Sequence, residues 1–130
     1  MEIDYNRFSI IPDPELKIIK YTHSGLIYSH EIEKAWSVLL GMKEFVELNY
    51  NLLSDYRGGK FQMNISEVPE IVKFMSAIKN IVKGKKQALI VDDPYSVAGS
   101  MLFENKMFEE IGFIVKVFST DEAALEWLSY

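Results

Sequence analysis

Ala88-Leu89-Ile90-Val91 is an apolar run without alternation, and it stops at Asp92-Asp93-Pro94. A strand with one wet face alternates apolar and polar residues; a strand that does not alternate is covered on both faces and belongs at the centre of a mainly parallel sheet. Such sheets are built by strand–helix–strand repetition, so the rest of the chain should supply helices between strands.

It does. Phe8, Ile10 and Ile11 alternate loosely up to Pro12-Asp13-Pro14-Glu15, a turn because two prolines fix φ and remove donors. Residues 16–21 resume as a second strand, closed by Ser24-Gly25, so the first pair reads as an antiparallel hairpin. From about Ser29 the period becomes helical through Ile32, Trp36, Leu39 and Leu40, with Glu31 and Glu33 in the first turn and a stop near Gly41. Residues 51–55 form a short buried strand running into the loop Tyr56-Arg57-Gly58-Gly59. Ser66 is the expected N-cap of a second helix, with Pro69 in its first turn, an apolar stripe of Val68, Ile71, Val72, Met75 and Ile78, and Gly84 at its end. A third helix is expected over 95–110, with Val97, Met101, Leu102 and Phe108 apolar, then a last strand over 113–118. Ser119-Thr120-Asp121-Glu122 reads as a capping box, Ser119 accepting and Glu122 reaching back, for a closing helix with Ala124, Leu125, Trp127 and Leu128 apolar.

The expected fold is therefore a single α/β domain over 1–130 in the order β-β-α-β-α-β-α-β-α. Its mainly parallel five-stranded sheet has an antiparallel edge strand and four helices. That order, in this length, resembles the STAS domain. The last strand Lys116-Val117-Phe118-Ser119 with Asp121-Glu122-Ala123-Ala124-Leu125-Glu126-Trp127-Leu128 resembles the terminal motif of the SpoIIAA-like group. Residues 88–94 and Asp55-Tyr56-Arg57 are similar to that group too. The resemblance implies a regulatory or binding module and a fold shared with lipid-carrying CRAL-TRIO domains. It also implies a kinase-modified serine after the middle strand, and here the sequence departs: Asp55-Tyr56-Arg57-Gly58-Gly59-Lys60-Phe61 contains none. The phosphoserine switch is not carried over.

Composition narrows the function classes. A net charge of −5 argues against wholesale binding to nucleic acid. Cysteine is absent, which removes disulfides, thiolate metal sites and cysteine nucleophiles. Met1-Glu2-Ile3-Asp4-Tyr5 is acidic where a secretory signal is basic, and no apolar run approaches the ~18 residues of a membrane span, so a cytoplasmic location is expected. His23 and His30 are the only histidines and lie in no zinc-site spacing. No cofactor and no enzymatic activity are expected.

The favoured site is the loop after the middle strand. Asp55, Arg57, Gly58 and Gly59 sit at a parallel strand's C-terminal end, where α/β sheets collect ligands; glycine amides and a guanidinium suit an anion or an acidic partner. The plain alternative is a turn with a local ion pair. Asp92 and Asp93 mimic the Mg²⁺-binding acidic pair of response-regulator receivers, although too little chain follows Pro94 to complete that site; the alternative is a helix start. Lys73, Lys79, Lys83, Lys85 and Lys86 read as a helix's solvated face or as a docking patch. The expected partner is a protein or a small ligand, with a homodimer through Tyr130 or the first hairpin as a further option. Met42, Met63, Met75, Met101 and Met107, with eight phenylalanines, leave room for a second reading: a carrier with a lipid-sized cavity above ~300 Å³. A third is a divalent-metal enzyme using Asp92 or Asp93.

Overall fold

The computed structural model describes residues 7–130; the acidic start at 1–5 lies outside them. Strands β1 (Arg7–Asp13), β2 (Ile18–Ile27), β3 (Asn51–Asp55), β5 (Lys86–Ile90) and β6 (Ile114–Phe118) lie side by side in the order β1-β2-β3-β5-β6, and the short β4 (Gly59–Phe61) pairs with the end of β2. Only β1 is antiparallel to its neighbour. Helices α1 (Ser29–Leu40), α3 (Val68–Ala77) and α5 (Pro94–Glu110) lie in the crossovers, joined by the single turns α2 (Lys43–Val46) and α4 (Lys79–Val82); α6 (Asp121–Leu128) closes the chain.

Parallel register sorts the side chains into two faces. One aligns Ile19, Leu52 and Gln87, then Tyr21, Ser54 and Leu89. Its core takes in Ala35, Trp36 and Leu39 of α1, Phe45, Met75, Met107 and Phe113. Trp36 meets Phe45 and Phe113 edge-on, with ring centroids 5.7 and 5.9 Å away. The other face carries Ile18, Leu53, Ala88 and Ile90 and is covered by Ala124 and Leu128 of α6. The unalternated run at 88–91 is thus buried on both sides, as its sequence requires.

α6 is held at both ends. Thr120 Oγ1 accepts from the Ala123 amide at 3.2 Å, so Thr120, and not Ser119, is the cap; the two hydroxyls are adjacent, and only the backbone shows which residue is last extended. Arg57 reaches Asp121 in the first turn, while Lys86 Nζ donates to the carbonyls of Trp127 and Tyr130 at 3.1 and 3.0 Å, countering the negative end of the helix.

Other expectations need correction. Pro12 and Asp13 belong to β1, where an edge strand tolerates proline; the turn comes later, with Asp13 Oδ1 accepting from the Glu15 and Leu16 amides. β2 does not stop at Ser24-Gly25. Gly25, with φ 85°, carries it on to Ile27 against β4, whose stretch reads as loop in sequence. Ser66 caps nothing: it lies in a 3-10 turn (Ile65–Glu67) and bonds Asn64. The Glu67 carboxylate spans that turn instead, accepting from the Asn64 amide at 3.0 Å and from Ser29 Oγ at 2.9 Å.

Candidate functional site

Helix α5 does not present the apolar face that its sequence suggests. Met101 and Phe108 are exposed, at 52% and 68%, while the inward residues are Ser96, Ser100, Phe103 and Met107. Those positions recur at helical spacing, so the face is real, but its first two turns carry small side chains. Opposite, α3 buries only Met75 of its expected stripe; Val68, Ile71 and Val72 stay half-buried. Two helices that fail to fill the space between them leave a cavity of about 490 Å³ over the sheet.

Its walls are Ile32 and Trp36 from α1, Ile71, Phe74 and Met75 from α3, and Ser100, Leu102 and Phe103 from α5; Tyr56, Gln87 and Leu89 form the floor. The segment after β4 adds Phe61, Met63 and Asn64, and Tyr95 donates its hydroxyl to the Met63 carbonyl across the opening. Lining residues that retain solvent exposure, Glu33, Asn64, Tyr95 and Gly99, mark the open side. A Cβ built on Gly99 meets nothing within 4 Å. Among the described residues the lining holds no lysine, arginine or histidine, and its one carboxylate is Glu33.

The loop favoured by sequence is built differently from an anion cradle. Arg57 donates through Nε and Nη2 to the two carboxylate oxygens of Asp55, at 3.0 and 2.8 Å, and through Nη2 to Asp121 at 2.8 Å. One guanidinium is shared by two carboxylates, so the cluster carries net negative charge. The hydrogen bonds from Arg57 hold the Asp55 carboxyl below the usual carboxylate range. The Gly58 carbonyl accepts from the Gly25 amide at 3.1 Å, and a Cβ at Gly59 would collide with Ile27 and approach the His23 carbonyl to 3.1 Å. Both glycines therefore serve the β2–β4 pairing. Asp93 is the N-cap of α5, accepting from the Ser96 amide and hydroxyl at 2.9 and 2.7 Å, while Asp92 beside it is exposed. No cluster of three potential metal ligands occurs among the described residues.

A group whose folded pKa is lowered and whose charged form is the deprotonated one stabilises the fold above its unfolded value. For Asp55 this contribution is lost as pH falls below about 4. Arg57→Ala is expected to cost about 1 kcal/mol at neutral pH, discounted for the partial exposure of the pair, and to flatten the acid limb of stability. Urea midpoints at neutral and acid pH check both; parallel limbs in the two proteins would contradict this role for Arg57.

Sequence reasoning did not single out a polar row beneath α1, crossing from β2 to β5. His23 Nδ1 meets the Tyr21 hydroxyl at 2.6 Å, Tyr56 lies beside Tyr21 and Ser54, and Gln87 Nε2 donates to Ser54 Oγ at 2.9 Å. The two ends of the row, His23 Nε2 and Gln87 Oε1, are buried without partners among the described residues. One signal was legible: a glutamine heading an otherwise apolar central strand. Burial lowers the His23 pKa, against the opposing pull of Glu31. Since the neutral ring is the favoured folded form, the unfolded chain takes up a proton first, and stability should fall as pH drops below about 6.5, by at most about 1.4 kcal/mol per pH unit. A shallower slope in His23→Phe between about pH 6.5 and 5 is the expected result; equal slopes would assign the effect elsewhere.

The sheet order, the helices of the crossovers and the separate covering by α6 define a SpoIIAA-like fold. An uncharacterised protein of the DUF3478 family from Shewanella loihica PV-4, solved with a SpoIIAA-like fold, is similar to this chain with a TM-score of 0.65 and 13% identity over 98% of each chain. At that identity the likeness shows the fold alone. No family model matches the chain, and no curated protein matches it. Among the described residues no helix is long and apolar enough to cross a membrane.

Proposed function

We propose that the chain is a non-enzymatic binding module that takes a small apolar molecule into the cavity between α1, α3, α5 and the sheet. The observation that carries this reading is the cavity itself. Its volume of about 490 Å³ falls in the range of small-molecule sites, and its lining is aromatic and aliphatic with polar groups few and placed singly. Apolar surface left unburied is costly to a fold unless a ligand covers it. The loop of Asp55, Arg57, Gly58 and Gly59 contributes indirectly, by holding Tyr56 of the floor against Phe61, with ring centroids 4.9 Å apart. No catalytic role is included: among the described residues the lining has no cysteine, histidine or lysine, and the Ser96 hydroxyl is committed to Asp93.

Trp36 lines the cavity, whereas Trp127 lies on the opposite face of the sheet against Phe118. In a Trp127→Phe background, tryptophan emission therefore reports on Trp36 alone. Titration with naphthalene is expected to shift that emission saturably. Emission that is unchanged, or that shifts without saturation, would overturn the proposal.

A further inference from the structure

We infer that the molecule the cavity takes is neutral and carries a hydroxyl, which bonds to Gln87 at the floor. The inference rests on the reading of the cavity as a ligand site and adds the chemistry of the ligand's polar end. Gln87 is 1% exposed, pairs with Leu52 on β3 and borders the cavity beside Leu89. Its amide has two polar ends; Nε2 is engaged by Ser54 and Oε1 has no partner. A buried amide oxygen with no donor is a standing cost to the fold, one that native interiors rarely tolerate. Gln87 borders the cavity with its oxygen covered, so the amide turns toward a ligand hydroxyl that reaches the floor, and the contact removes that cost. It would do so for either orientation of the amide, because a hydroxyl both donates and accepts.

The rest of the lining excludes a charged end. With no lysine, arginine or histidine in the walls among the described residues, a carboxylate would lie desolvated and unpaired, and Glu33 at the rim adds repulsion. Tyr56, the other polar residue of the floor, is a neutral phenol whose pKa is raised by burial and whose hydroxyl is held by Tyr21 and Ser54, so it brings no charge to the floor. An apolar body with one alcohol is the ligand class that satisfies the floor and leaves nothing unpaired. A fatty-acid anion of the same length is the class that it rejects.

The test compares decanol, decanoate at pH 8 and naphthalene in the Trp127→Phe protein, each with and without Gln87→Met. Decanol is expected to bind at least about tenfold more tightly than decanoate. Gln87→Met is expected to weaken decanol about tenfold relative to naphthalene, which has no hydroxyl. If naphthalene binds and decanoate matches decanol, the inference fails while the cavity remains a ligand site. If decanol is indifferent to Gln87→Met, the hydroxyl has another partner and the inference also fails. If none of the three binds, the reading of the cavity falls and takes the inference with it. The comparison of decanol with decanoate needs no substitution at Gln87, so it stands even if that variant folds poorly.

Discussion

Gly99→Leu should raise the thermal midpoint by about 4 °C while weakening capture of naphthalene at least about tenfold. Gly99 stands in the middle of α5, where glycine costs about 1 kcal/mol against a good helix former. Its φ is not positive, so nothing in the backbone calls for glycine, and open space lies above it. A leucine there regains helix propensity and projects over the cavity. Stability and binding then move in opposite directions, which no general loss of structure would produce. Differential scanning and the Trp36 titration measure the two effects on one sample. A stabilised variant with unaltered binding would show that the space near Gly99 is not used by a ligand.

Phe113→Ala is expected to cost about 3–5 kcal/mol in urea unfolding. Phe113 is fully buried and touches Trp36, which in turn touches Phe45, so removing the ring opens the junction where α1, α2 and the sheet meet. That is a large share of the roughly 5–15 kcal/mol that holds a folded chain of this size together. A loss under about 1 kcal/mol would mean that α1 repacks freely into the gap, contrary to the dense packing expected of this cluster.

The fold was legible because its strongest signals are periodic or unalternated runs. The Ala88-Leu89-Ile90-Val91 strand and the α1 stripe through Trp36 and Leu39 each fix an element by burial alone, and the closing helix is marked by the cap before it together with Ala124 and Leu128. Boundaries were less legible because they depend on a single backbone angle or on one of two equivalent hydroxyls, as at Gly25 and at Ser119-Thr120. The favoured loop looked like an anion site because aspartate, arginine and two glycines occur together. In the fold Arg57 is bound to Asp55 and Asp121, and Gly59 lies wedged against Ile27, contacts that depend on residues distant in sequence. The cavity has the opposite character, since an unfilled volume has no residue of its own. Its traces in sequence are negative: Ser96, Ala98, Gly99 and Ser100 where α5 should carry bulk, and Gln87 where the central strand should be apolar.

A crystal structure of the chain grown with saturating decanol is the most direct measurement. Continuous density between α1, α3 and α5, against Trp36 and Phe103 with its polar end at Gln87, is the expected result. An empty interior in which α3 has moved down onto α5, burying Ile71 and Phe74 completely, would contradict the cavity and the binding role together.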